Sequence, residues 1–473
     1  MLIRDADIDF GTRADVRIVD GVIAAVGRQG LAAPGEQIID AGGAALLPGL
    51  HDHHFHLLAF AASLESVACG PPSVADEAGL AHALRARRSA HPQGWIRGVG
   101  YHPSVAGDID RRWLDAVLPQ TPVRVQHRGG RLWVLNSKAL DLVAPGGDAG
   151  PLERIDGQLT GRLYEADAWL RDRIGAVAPP IGRASQILLS HGVTGLTDTT
   201  PTAGREEYEL LLKAQAEGVL VQDVLMMGAA GLEAVREVPG LRIGARKFHL
   251  LEADLPDLAD VTVEVSRCHA VGRSVAFHCV TLAELVFALG ALGEAGAIAG
   301  DRIEHAAVAP PDILPLIAER RLTVVTQPNF IHERGDVYLR EVEPVDQPWL
   351  YRLRAFLDAG VALAAGTDAP FGDVDPWIAM QAAVTRRTRA GAVIGRDEAL
   401  TPEEALGLFT GAAENPGGPR RAIQVGGRAD LCLIDRPWKD ARADLSRVRV
   451  ALTIKAGRVV WSSQSLSAST NPH

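Results

Sequence analysis

The sequence predicts an α/β fold, with a (β/α)8 barrel or a doubly wound sheet in the middle and a small sheet domain assembled from both ends. Three observations carry this. Apolar strand-like runs alternate with helical segments through the middle about 370 residues, which is the pattern of repeated βα units. Both ends are β-rich with little helix between the strands. No glycine-rich dinucleotide fingerprint follows the early strands, which weighs against the doubly wound alternative.

At the start, Ala14–Val19 alternates polar and apolar residues, Asp20-Gly21 is a turn dipeptide, and Val22–Val26 follows as a second strand. At the far end, Ala429–Asp435, Val448–Ile454 and Arg458–Trp461 read as strands, with Ala456-Gly457 as the last turn. In the middle, strand-like runs occur at Val123–Gln126, Gly192–Thr197, Val219–Leu225, Ser274–Phe277, Leu322–Val325 and Val361–Ala365. Helical spacing near 3.6 marks Glu206–Glu217, Leu282–Ala295 and Pro311–Arg320. The segment from Cys69 to Pro180 is irregular and reads as barrel elements with elaborated loops.

A chain of 473 residues with 47% hydrophobic content can bury one large core and a smaller one. A net charge of −10 argues against general binding to nucleic acid or an anionic membrane. The one basic cluster, Arg386-Arg387-Thr388-Arg389, reads as solvated helix. No secretory signal or long apolar run is expected, and Cys69, Cys268, Cys279 and Cys432 form no Cys-x-x-Cys pair, so a cytoplasmic enzyme with reduced thiols is expected.

The chemistry-bearing residues stand where strands run out into loops. In Leu46–Leu57, four histidines fall within six residues, His51, His53, His54 and His56. Two histidines two apart on a strand leave the backbone in parallel and can reach one ion. Strand phase allows either 51/53 or 54/56. Further strand-like runs end in Lys247 with His249, in His278, in His305 and in Asp368. Each alone has an ordinary structural reading: a core histidine, a helix cap, a solvated lysine. In a barrel, however, all such strand ends collect at one face.

The ordered set resembles the amidohydrolase superfamily, whose pattern is His-x-His after the first barrel strand, Lys after the fourth, His after the fifth and sixth, and Asp after the eighth. The resemblance assigns His54, His56, Lys247, His278, His305 and Asp368 as metal ligands, since Asp52 stands two residues before His54 as the family has it. Within the superfamily the chain is similar to the YtcJ-like (amidohydrolase 3) branch, which includes N-substituted formamide deformylases. Asn136–Leu140, Thr160–Glu165, Asp301–His305, Leu400–Leu406 and Val425–Leu431 carry that likeness. It implies a TIM-like barrel over 48–417, with loop elaborations around 69–180, and a small β-sandwich built from 1–47 and 418–473. Two positions depart from the branch: Arg131 stands where a histidine is usual, and Lys247 precedes Phe-His-Leu-Leu-Glu rather than a small glycine-containing loop.

The resemblance further implies a divalent metal, zinc by its nitrogen and oxygen donors, as one ion or as two bridged by a carboxylated Lys247. Metal-bound hydroxide would attack the C–N bond of a small non-peptide amide or formamide, with Asp368 as general base and His278 polarising the carbonyl if it is free of metal. Cyclic-amide hydrolysis or deamination is the nearest alternative; a metal-dependent lyase or isomerase, or a non-catalytic scaffold, is a further one. Arg131, Trp133 and Glu165 are candidate substrate contacts. Arg334, Tyr338 and Arg340, within Pro328–Trp349, either line the pocket mouth or face water. A homodimer is common in the family; nucleic acid and membrane are not expected partners.

Overall fold

The computed structural model describes residues 1–28, 31–90, 93–145, 150–175 and 179–463, so the tail of the expected C-terminal sandwich segment lies outside the described residues. The chain divides into two compact units, Met1–Leu57 with Ala184 onward, and Leu58–Arg183.

The first unit contains an eight-stranded parallel sheet: β1 (Leu50–Phe55), β2 (Val193–Asp198), β3 (Asp223–Gly228), β4 (Leu241–His249), β5 (Val275–Cys279), β6 (Arg302–His305), β7 (Thr323–Thr326) and β8 (Ala362–Ala365), neighbours in that order. The ends of the sheet meet just past β8, where Asp368 N–H donates to His54 O at 2.9 Å and His56 N–H donates to Ala369 O at 3.0 Å. Close approach here requires glycine. A Cβ on Gly366 would lie 2.3 Å from His54 N and 2.7 Å from an Asp52 carboxylate oxygen.

Helices follow most strands, and their starts are written in the sequence. Thr281 and Glu284 form a capping box before Leu282–Ala295, Asp257 caps Leu258–Ala270, and Asp375 caps Pro376–Thr385 with proline in its first turn. The predicted helix over 282–295 has those bounds.

The two ends of the chain each contribute to a four-stranded sheet. One is formed by Leu2–Asp7, Arg13–Val19, Val22–Gly27 and Ile38–Asp40, the other by Leu46–Pro48, Leu431–Ile434, Val450–Lys455 and Arg458–Ser462. They share one apolar core that includes Ile3, Val16, Ile18, Leu431, Leu433, Leu452 and Ile454. In Arg13–Val19 the alternation puts Ala14, Val16 and Ile18 on a buried face, whereas Leu431–Ile434 and Val450–Lys455 are buried along their whole length.

The 58–183 region corrects the expectation of barrel elements. Its described residues form a six-stranded sheet with its own cores, and Val123–His127 belongs to that sheet rather than to the barrel. Part of the reason is local, and the rest lies in the pairing of Val123–His127 with Ile96–Tyr101 and Leu132–Leu135. Asp156-Gly157, both at positive φ, ties Leu152–Ile155 to Gln158–Tyr164 as an antiparallel hairpin, which a parallel βα repeat cannot contain.

The basic cluster is corrected as well. Arg386 is fully buried, and its guanidinium donates to the carbonyls of Leu350, Tyr351 and Ile394 at 2.8–3.0 Å. Burial pushes it down to about 10. Among the described residues no helix is long and apolar enough to cross a membrane.

Candidate metal centre

The C-terminal ends of β1, β4, β5, β6 and β8 carry the six predicted ligands, in the order that the sequence pattern gave. β1 is buried along its whole length. Its carboxylate, Asp52, accepts from His54 N–H (3.1 Å), from Thr367 N–H (3.1 Å) and from Thr367 Oγ1–H (2.6 Å). Three bonds from residues flanking the ligands make Asp52 a clasp between the first and last strand ends. Asp368 itself sits at φ 57°, and His305 at φ 69°, left-handed conformations that non-glycine residues rarely adopt and that concentrate at functional sites.

His54, His56 and Asp368 form one group whose ligand atoms lie within 4.8 Å of one another. Asp368 Oδ1 is 3.1 Å from His56 Nε2 and 3.4 Å from His54 Nε2. The ring of His305 lies 4.7 Å from that of His54, and the ring of His278 lies 4.5 Å from that of His305. Lys247 is buried on β4, in register with Ala276, two residues before His278.

Among the described residues, three buried atoms of this set have no hydrogen-bond partner: Lys247 Nζ, His305 Nε2 and Asp368 Oδ1. Leaving buried polar atoms unsatisfied costs about 1–3 kcal/mol each in an ordinary core. Nitrogen and oxygen donors orphaned side by side are the donor set of a divalent cation, and the residues fit one.

The opposite ring nitrogens are held. His54 Nδ1 meets Glu304 at 2.5 Å, His56 Nδ1 meets Thr200 Oγ1 at 3.1 Å, and His305 Nδ1 meets Gln327 Oε1 at 2.6 Å. Such bonds fix the tautomer that leaves Nε2 bare for a ligand. Glu304 is in turn gripped by Arg302, whose guanidinium also donates to His53 O at 2.7 Å. Burial alone would raise Glu304, but Arg302, Lys247 and His54 outweigh it and hold the carboxyl well below its usual range.

Burial pushes His305 down to about 3 and His278 well below the usual imidazole value, so both stay neutral. Burial also brings Lys247 down to about 8, against the opposing pull of Glu304 and Asp368. Burial would likewise raise Asp368, but His54 and His56 keep it ionised.

His51 and His53 are not part of the group formed by His54, His56 and Asp368. His51 Nε2 meets Thr197 Oγ1 at 3.0 Å, and the His53 ring packs 4.6 Å from that of His51. Arg131, Trp133 and Glu165 belong to the second unit, where each has a partner. Arg131 pairs with Glu165 at the surface; Trp133 is buried, donates to Asp167 at 2.8 Å and lies under Arg97 and Arg124. Asn136 uses its whole amide: Oδ1 accepts from Val123 and Ala139 N–H, and Nδ2 donates to Leu118 and Thr121 carbonyls.

The residues that sequence reasoning missed are the supporting ones. Glu304 had a signal, since Arg302 and Glu304 share a strand face. Thr200 and Gln327, at the ends of β2 and β7, had none.

Compared with known proteins, residues 37–461 match the family model described as the amidohydrolase family. The chain belongs to that family. With it, the chain is a hydrolase acting on carbon–nitrogen bonds other than peptide bonds. An N-substituted formamide deformylase from Arthrobacter pascens is 28% identical, over 96% of this chain and 96% of its own. An uncharacterized metal-dependent hydrolase from Pyrococcus horikoshii OT3 shares the fold, with a TM-score of 0.74 at 22% identity over 92% and 97% of the two chains. An N-isopropylammelide isopropylaminohydrolase from Burkholderia multivorans ATCC 17616 superposes with a TM-score of 0.56 at 19% identity, covering 98% of each chain.

Proposed function

We propose that this amidohydrolase cleaves the C–N bond of a small non-peptide amide, with a formamide as the leading candidate. The observation that carries the reading is the group of orphaned donors at the barrel mouth, Lys247 Nζ, His305 Nε2 and Asp368 Oδ1, beside His54 and His56. The full-length likeness to a formamide deformylase supports the formamide.

His54, His56 and Asp368 would hold one divalent ion, and His278 with His305 a second. Lys247 would join both groups of ligands if its amine carried a carboxylate, and the burial that lowers it to about 8 raises the share of uncharged amine able to react with CO2. The donor set suits zinc. A divalent metal held by these residues would supply Lewis acidity, the chemistry that makes water a nucleophile near neutral pH.

The chain's own part is proton handling and orientation. Asp368 takes the proton of the attacking water and delivers it to the departing nitrogen, so that amide and water become carboxylic acid and amine. Glu304, Thr200 and Gln327 hold three imidazoles in the ligand-ready tautomer. His278, neutral at working pH, polarises the carbonyl where it carries no metal. The test is a screen of formamides, acyl amines and cyclic amides with metal-loaded protein, beside metal analysis of the purified chain. A chain that takes up no metal and stays inert after metal is added is a scaffold, and the proposal fails.

A further inference from the structure

The helix after β7, Asn329–Glu341, brings a cation to the same barrel face. Arg334 donates to Phe371 O at 2.5 Å; Phe371 N–H donates to Asp368 O at 2.8 Å, and the Phe371 ring stands edge-on to His56 at 5.3 Å. Arg334 is thus one short turn from the proposed base. Its guanidinium lies 3.8 Å over the ring of buried Phe330.

Among the described residues it has no further hydrogen-bond partner and no carboxylate partner. The neighbouring acids are engaged. Glu333 accepts from Asn329 Nδ2 and Asp373 N–H, both at 3.0 Å, and Asp368 faces His54 and His56. A partly desolvated guanidinium normally finds an anion, because an unpaired charge is costly away from water.

Two phenols stand with it. Tyr338, one turn along the helix, meets Tyr351 Oη to Oη at 3.4 Å, and Tyr351 is pinned by its N–H to Ala307 O at 2.9 Å, two residues past His305. Buried Arg386 holds the Leu350 and Tyr351 carbonyls from below. Phe330, Tyr338 and Tyr351 belong to one apolar cluster with Val280 and Ala307, which follow β5 and β6, so this wall rises from the ligand-bearing strand ends. Burial would lower Arg334, yet Tyr338, Tyr351 and Asp368 raise it, so it stays charged.

We infer that Arg334, with the Tyr338 and Tyr351 hydroxyls, is an anion-recognition subsite, and that the substrate is an amide bearing a carboxylate. The planar fork of arginine suits a carboxylate. The inference rests on the hydrolase reading above and narrows its substrate class. It also moves acid recognition from Arg131, which already pairs with Glu165, to Arg334.

The experiment compares N-formylglycine with N-isobutylformamide, its neutral counterpart of similar shape, on metal-loaded wild type, Arg334→Gln, Arg334→Lys and Tyr338→Phe. Wild type should favour N-formylglycine in kcat/KM by about 10- to 100-fold, the range that one charge-assisted hydrogen bond supplies. Arg334→Gln should bring that ratio to about 1, Arg334→Lys should recover part of it, and Tyr338→Phe should lower it a few-fold. A wild-type preference for the neutral amide overturns the inference. So does a ratio unchanged in Arg334→Gln, including both substrates falling together, as they would if the guanidinium served the developing oxyanion or only the fold. If wild type turns over neither compound, the formamide reading fails separately. Calorimetric binding of the same pair then decides the subsite: a preference lost in Arg334→Gln sustains it, and no preference overturns it.

Discussion

At the N-terminal end of the barrel, Lys455 donates to Asp430 at 3.0 Å and lies 2.8 Å from Asp223, while Arg428 reaches the same two carboxylates at 3.1 and 2.8 Å. At the C-terminal end, Lys247 Nζ, His305 Nε2 and Asp368 Oδ1 make no hydrogen bond among the described residues, and Asp368 Oδ1 has only the His54 and His56 rings facing it. Both ends concentrate polar groups, and a cavity of about 770 Å³ lies at the first, lined by His51, Asp223, Arg421, Arg428, Asp430 and Lys455. Cavity size therefore does not mark the chemistry. The difference is satisfaction. Where charges close on one another they hold a fold together; where donors converge and stay open, the fold has left room for something else.

The sharpest way to break this contrast is Asp368→Asn. Loss of the general base should lower kcat by about 100- to 10,000-fold with the fold intact, checked by steady-state kinetics beside circular dichroism. Retained activity would remove Asp368 from that role.

Glu304→Gln tests the support behind the open donors. It should weaken metal affinity about 10- to 100-fold, read by competition with a chelator, because His54 loses the carboxylate that orients it. An unchanged affinity would make Glu304 a partner of Arg302 alone.

Lys455→Met tests the closed end. Buried Asp430 loses its ammonium partner, so thermal unfolding should show a loss of about 1–2 kcal/mol, while metal content and kcat stay at wild-type values. A fall in kcat without a fall in stability would show that the two ends are coupled. Arg428→Gln should do least, below about 1 kcal/mol, since its side chain is 56% exposed and its ion pairs are screened.

The barrel was legible because it rests on local facts, and the order of the candidate ligands followed from the family resemblance. Strand runs, helix caps and metal-competent residues at strand ends are each written within a few positions, and barrel topology carries every strand end to one face. The region from 58 to 183 was not legible in the same way. Asp156-Gly157 announces a hairpin, but the pairing of six strands into a separate sheet is set by contacts between distant segments. Arg386 shows the same limit: four residues of basic sequence say surface, and only the carbonyls of Leu350, Tyr351 and Ile394 make burial of the first one tolerable.

The sequence by itself determined the strand–helix repeat and the β-rich ends, and its family resemblance singled out His54, His56, Lys247, His278, His305 and Asp368 as candidate ligands. Tertiary structure alone decided what stands behind and beside them. Glu304, Thr200 and Gln327 become partners of the imidazoles, Asp52 becomes a clasp on Thr367, and Arg334, near Asp368, is left without an anion among the described residues. The reason is physical. A ligand's chemistry resides in its own side chain, whereas hydrogen-bond satisfaction belongs to pairs of atoms that are neighbours only after the barrel closes.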